Sequence, residues 1–346
     1  PYHPYMAIST DQGTTFNPWR HIDDTNWLAG SAIQGPMPTH DVGPDGTFHV
    51  VYPSWVPLQN VFPQYIHASS TDAGDNFDYH TVFASLETFS DSLAKKGYLL
   101  RADPSDPDHL SFIHLGVDHG DGDVIIRDSY DAGLSWTNGI RVNDDPVGNN
   151  RMQDLVWADF DSDGDLVVSW RDRRNGADSS YQTDTEIWGA VRFADSTEFS
   201  PNFPITDQLV AYDTILASNG NDFMCIQLQD DTLSAVWGDP RNGSLNIWFQ
   251  RMSLDGSMIS IENISTEQIP GIGVYPNPFR TDINIEGEDI ERVTVYDQTG
   301  KLIFDKKITS DHGLSKLNLD HLPTGVHLLK VETKKGNWSE VIMKIE

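Results

Sequence analysis

The sequence predicts an all-β chain in two parts, a β-propeller of four-stranded blades over residues 1–263 and a small Ig-like β-sandwich over 274–346, joined by a linker at 264–273. Three observations carry this expectation. A Ser-x-Asp-x-Gly-x-x-aromatic phrase recurs at a spacing of about sixty residues. Short apolar runs bounded by turn residues fill the intervals, and the composition changes near residue 270.

The phrase occurs as Ser9-Thr10-Asp11-Gln12-Gly13-Thr14-Thr15-Phe16, Ser70-Thr71-Asp72-Ala73-Gly74-Asp75-Asn76-Phe77 and Ser129-Tyr130-Asp131-Ala132-Gly133-Leu134-Ser135-Trp136. Ser and Asp can hydrogen-bond the turn backbone, Gly supplies a positive φ, and the aromatic is expected to pack back between sheets. The phrase resembles the Asp box of sialidase-like propellers. In that reading Asp11, Gly13, Asp72, Gly74, Asp131 and Gly133 are architecture, not catalysis.

Taken in order, residues 1–20 supply the outer two strands of one blade, and two full blades follow over 30–83 and 97–142. The next has strands at 152–160, 166–171 and 186–193, a degenerate box at 194–199 and a fourth strand after it. The last has strands at 223–228, 233–237, 246–252 and 258–261, with Leu254-Asp255-Gly256 at the box position. Four and a half blades are thus visible against the six of sialidase-like propellers, so an N-terminal portion is expected upstream of Pro1. Any signal peptide is expected to have been removed or left out.

Two prolines in Val274-Tyr275-Pro276-Asn277-Pro278-Phe279 exclude a helix and open the second part. Short strands are expected at 281–286, 291–297, 301–307, 314–319, 326–333 and 338–345, with turns at Asp297–Gly300 and Leu322–Gly325. The Tyr-Pro-Asn-Pro-Phe phrase, the Val295-Tyr296-Asp297-Gln298-Thr299-Gly300-Lys301 phrase, the Leu322-Pro323-Thr324-Gly325-Val326-His327 phrase and the basic Lys344 resemble the type A sorting domain of the type IX secretion system of Bacteroidota. His327 departs from the Tyr usual there. The resemblance implies a translocon and a sortase as partners, and a secreted or outer-surface location.

Net charge is −29, with 13 Lys+Arg against 40 Asp+Glu in residues 1–272 and 10 against 12 afterwards. Such a field disfavours nucleic acid and anionic membrane surfaces. No apolar run reaches the length of a membrane helix. Cys225, the one cysteine, sits in an apolar stretch and reads as a small buried hydrophobe.

In a four-stranded blade the Asp boxes mark one end, and the loops after the second strand, with the connections between blades, mark the other. That second end offers Trp55, Arg151, Arg173, Arg174 and Arg241 as ligand-binding candidates. Converging arginines could clamp the carboxylate or sulfate of a glycan. Against this, Trp-x-Asp-x-Arg-Asn-Gly recurs at 170–176 and 237–243, and repetition in successive blades favours a brace over a clamp. The sialidase resemblance implies a Tyr nucleophile polarised by a Glu, an Asp acid and three Arg. Tyr181, Glu186 and Asp239 are the candidates, although Glu is scarce and the Arg-Ile-Pro phrase of sialidases is absent.

Alternating carboxylates at Asp159, Asp161, Asp163 and Asp165 match the oxygen-rich spacing of Ca²⁺, and match an ordinary Asp-Gly hairpin equally. The histidines look singly scattered, so no zinc site is expected. Three functions stay open: an exported propeller that recognises glycan or a similar extracellular ligand, a sialidase-like hydrolase, and a non-catalytic structural or adhesive surface protein.

Overall fold

The computed structural model describes residues 3–30, 38–56, 58–59, 63–85, 97–211, 224–257, 272–297, 301–308 and 314–345. The chain divides into two units, Pro1–Met258 and Ile259–Glu346. The expected linker lies almost wholly outside the described residues. No described helix is long and apolar enough to cross a membrane.

The first unit is a series of antiparallel sheets, each built from strands consecutive in sequence. Tyr5–Met6 pairs with Arg20–His21 as the outer part of one blade. The first full blade is Thr39–Val42, Phe48–Ser54, Gln64–Ser70 and Asp78–Ala84; the second is Tyr98–Ala102, Leu110–Gly116, Asp123–Ser129 and Ile140–Arg141. The third is Asp154–Phe160, Leu166–Asp172, Glu186–Arg192 and Phe203–Pro204. The fourth shows Met224–Gln229, Thr232–Asp239 and Asn246–Ser253, while the strand expected at 258–261 lies outside the described residues.

Burial explains why these runs are strands. Leu166–Asp172 is buried at every position, as expected of a strand covered on both faces. In the fourth blade Met224–Gln229 alternates buried and exposed, leaving Cys225, Val236 and Phe249 open. Cys225 is therefore exposed, contrary to expectation, because no described element covers that blade's second face.

The three Ser-x-Asp-x-Gly turns share one geometry. Ser9 Oγ donates to Asp11 Oδ1 at 2.8 Å and accepts the Gly13 amide at 2.7 Å, while the Thr15 amide reaches Asp11 Oδ1 at 2.8 Å. Ser70, Asp72 and Gly74 repeat this, as do Ser129, Asp131 and Gly133. Gly133 lies at φ +90° with the His67 ring where a Cβ would stand. Trp136 packs edge-on to His67, but Phe16 is exposed, so the aromatic packs inward in only some turns.

Neighbouring blades are joined by side chains that satisfy backbone amides. Asp41 accepts from the Ala102 amide at 3.0 Å, and Asp159 from the Leu228 amide at 2.9 Å. A buried ion pair, Arg192 to Asp128 at 2.7 Å, ties the third blade to the second.

The second unit is a sandwich of a three-stranded sheet (Gly273–Tyr275, Asp282–Glu286, Leu314–Asn318) and a four-stranded sheet (Ile290–Tyr296, Leu302–Lys307, Gly325–Thr333, Gly336–Lys344). Phe279, Ile283, Val295, Leu317, Val331 and Ile342 fill the space between them. Lys344 is buried, and its Nζ donates to the carbonyls of Asp320 and Leu322. The basic end therefore anchors the Leu322–Gly325 turn. His327, in the place of the usual Tyr, is also buried and meets the Pro323 carbonyl at 2.8 Å. Most of the Asp297–Gly300 turn lies outside the described residues.

Candidate functional site

Strand order places the lead-in to each blade and the loop after its second strand at one end, opposite the Ser-x-Asp-x-Gly turns. In the third blade that end carries residues 151–154 and 171–184. Two kinds of chemistry meet there, one repeated between blades and one not.

The repeated kind is a clip. Trp170 Nε1 donates to Asp172 Oδ2 at 2.7 Å, and Arg174 bonds the same carboxylate through its amide at 2.6 Å and Nε at 2.9 Å. Arg174 Nη1 reaches Asp144 at 2.7 Å, and its guanidinium lies 4.0 Å over the Trp188 ring. In the fourth blade Trp237 donates to Asp239 at 2.8 Å, while Arg241 pairs with Asp239 and Asp207 and lies 4.3 Å over Trp248. Asp144 and Asp207 each follow the outer strand of the preceding blade, so the clip fastens one blade to the next. Arg174 and Arg241 are engaged in these braces, the alternative that the repeated phrase favours over a clamp; Asp239 likewise is held on Trp237 and Arg241. Burial raises the Asp172 carboxyl above its ordinary value despite the nearby Arg174.

The unrepeated kind centres on Asp154. At the two positions where the third blade has Arg171 and Arg173, the fourth has Gly238 and Pro240. Arg171 grips Asp154 bidentately at 2.7 and 2.5 Å, and Arg173 adds contacts of 3.2 and 3.3 Å. The Tyr181 hydroxyl donates to Asp154 Oδ2 at 3.1 Å and accepts from Arg171 at 3.2 Å, while Arg173 stacks 4.5 Å from the Tyr181 ring. Asp154, Arg171 and Arg173 are all buried, Arg173 to 1% exposure. Burial pushes the Asp154 carboxyl up, but Arg171 and Arg173 outweigh it and hold the group below the usual carboxylate range. Arg173 is thus a buried partner of Asp154 and of the Tyr181 ring.

Arg151 differs from the other three candidate arginines. Its backbone amide is fixed by Asp121 at 2.8 Å and Asn149 at 2.7 Å, yet the half-buried residue makes no side-chain hydrogen bond or ion pair with a described residue, Nη1 is buried without a hydrogen-bond partner, and the guanidinium acts through its charge on Asp178. Trp55 is half-buried on the first blade, its amide bonded to the Ala29 carbonyl at 3.0 Å. Tyr181 and Glu186 do not form the expected couple: Tyr181 lies on Asp154 and Arg171, whereas Glu186 accepts from Asn175 at 2.7 Å and Trp188 at 3.2 Å. A cleft of about 20 Å³ lined by Arg171, Glu186, Trp237 and Asp239 has room for about one water.

Asp161, Asp163 and Asp165 lie near enough for their charges to repel, but the four carboxylates do not converge on one point. Asp159, Asp161 and Asp165 accept from the amides of Leu228, Asp231 and Ala194. No three of the four carboxylates place oxygens within 4.8 Å of one another. Asp154 and Arg171, the centre of the buried cluster, lie in the blade connection and second-strand loop that the sequence places at this end, although neither is among the ligand-binding candidates. The available signal was the contrast between 170–176 and 237–243, where the positions that differ mark the cluster.

Residues 273–345 match the family described as the secretion system C-terminal sorting domain. Among curated proteins the chain is similar to Ulvan lyase NLR42 of Nonlabens ulvanivorans, 25% identical over 178 residues, 47% of this chain and 32% of that protein. The chain therefore spans about a third of the length of that relative. Among solved structures, a Penicillium chrysogenum α-L-arabinanase complexed with arabinobiose aligns over 89% of this chain and 92% of its own at 12% identity, TM-score 0.43. A Trypanosoma rangeli sialidase in complex with the inhibitor DANA aligns over 90% and 55% at 10% identity, TM-score 0.41.

Proposed function

With residues 273–345 belonging to the secretion system C-terminal sorting domains, and the chain so addressed for type IX export to the cell surface or the medium, we propose that its propeller recognises a carboxylated or sulfated glycan at the end bearing Arg151. The observation that carries this is the Arg151 guanidinium, which makes no hydrogen bond or ion pair with any described residue and acts through its charge on Asp178, although three neighbouring arginines on that end are engaged. A planar fork with free donors suits a carboxylate or sulfate. The acidic remainder of the unit disfavours unspecific polyanion binding, so recognition falls to local arginines. The relative named an ulvan lyase supports a polysaccharide as the ligand class.

A glycan array carrying acidic glycans and matched neutral ones tests the reading. Acidic hits that vanish in Arg151→Ala support it; hits retained in that variant, or none at all, dismiss it. A second reading, turnover of the glycan, is favoured by the Tyr181 hydroxyl, shared between Asp154 and Arg171 as a proton-handling group would be. New reducing ends from a polysaccharide panel, lost in Tyr181→Phe, are its signature.

A further inference from the structure

We propose that His3, His21 and Asp23 form a site for a transition-metal dication of the Zn²⁺ class. The three are dispersed in sequence, and the pairing of Tyr5–Met6 with Arg20–His21 brings them together. One ligand atom from each lies within 4.8 Å of the others, the sole such group of three or more His, Cys, Asp or Glu among the described residues. This overturns the expectation that the histidines stand singly.

The donor set points to the metal. Two imidazoles and one carboxylate suit Zn²⁺ and its neighbours in the first transition row, whereas Ca²⁺ and Mg²⁺ favour all-oxygen shells. Asp23 is the fixed member: its side chain is fully buried, and Oδ2 accepts the Ala29 amide at 3.0 Å, which orients the carboxylate as an outer-shell hydrogen bond does in metal sites. His3 Nδ1 lies 2.9 and 3.0 Å from the two Asp23 oxygens, so a proton now bridges positions that a cation would bridge instead. The His21 ring stands 4.5 Å from that of His3, centroid to centroid, and Trp19 packs edge-on against its other side at 5.1 Å. His21 is exposed and His3 partly so, which leaves entry and further coordination positions open to water. A bound ion would cross-link the strands of the outer blade through residues 3, 21 and 23.

The site is distinct from Arg151 and the Asp154 cluster, so its test is independent of the glycan reading. Tag-free full-length protein, stripped with chelator and dialysed, is titrated with Zn²⁺ by calorimetry, with Ca²⁺ as the comparison and metal content checked after desalting. One Zn²⁺ per chain is expected, with no heat from Ca²⁺ at this site. His21→Ala, at an exposed position that spares the fold, removes a direct ligand and weakens binding by more than the roughly 10–100-fold that loss of an outer-shell partner costs, and His3→Ala/His21→Ala abolishes it. Unchanged circular dichroism certifies that both variants are folded. Absence of Zn²⁺ binding to the parent chain overturns the proposal, and so does affinity that persists in the double variant, which would place the ion on other histidines.

Discussion

Asp154→Asn is the perturbation that probes the buried cluster most sharply. It preserves side-chain shape but removes the one negative charge shared by Arg171 and Arg173, both buried. Removing one member of a buried pair typically costs about 3–5 kcal/mol, because the stranded charge cannot return to water. That is a large part of the roughly 5–15 kcal/mol that holds a domain folded. With a urea m-value of about 3 kcal/mol/M, the midpoint should fall by roughly 1–1.7 M. The assay is urea unfolding followed by tryptophan fluorescence, since Trp157, Trp170 and Trp188 all belong to this blade. Asp144→Ala is the comparison. It removes the half-exposed partner of Arg174, an ion pair worth about 0.2–1 kcal/mol, and should move the midpoint by less than about 0.3 M. Equal shifts in the two variants, or a midpoint within about 0.3 M of the parent for Asp154→Asn, would refute the reasoning.

Glycine substitutions separate packing from backbone strain. A Cβ on Gly133 would stand 2.0 Å from the His67 ring, whereas Gly13, at a similar φ, has nothing within 4 Å; Gly133→Ala should lower Tm by several degrees more than Gly13→Ala. Acid has a signed effect at Asp154. Its folded carboxyl titrates below the unfolded value, so its contribution is complete above about pH 4 and is lost as pH falls below that. Thermal melts between pH 5 and 2.5 should therefore show a smaller acid loss in Asp154→Asn than in the parent. Deleting residues 273–345 should keep the propeller inside the cell, read by fractionation and immunoblot; full export of the truncated chain would contradict the assignment of the sorting module.

What was legible in the sequence is what closes over a few residues. The turns at Asp11, Asp72 and Asp131 are complete in hydrogen bonds spanning two to four positions, so their chemistry can be read from eight letters. The strands of the third blade follow from short apolar runs between turn residues. The sorting module declares itself by phrases such as Tyr275-Pro276-Asn277-Pro278-Phe279. The site was less legible because its partners lie far apart. Arg173 looked available as a clamp, and only the register of the first two strands of its blade sets Asp154 beside it. The sequence leaves Asp159 equally open as a metal ligand or part of a hairpin, and only the neighbouring blade supplies the Leu228 amide that it accepts from. Cys225 looked buried because an apolar run does not say which of its faces a neighbour covers. The pairing of residues 5–6 with 20–21 likewise joins His3 to Asp23 across a gap that no local pattern spans.

The most direct test of the account measures the affinity of the exported propeller for one sulfated or carboxylated polysaccharide and for its neutralised counterpart, in parent and Arg151→Ala protein. Binding to the acidic polymer alone is expected, weakened by about tenfold or more in the variant and reduced by salt. Equal affinity for the neutral polymer, or full affinity for the acidic one without the Arg151 guanidinium, would contradict it.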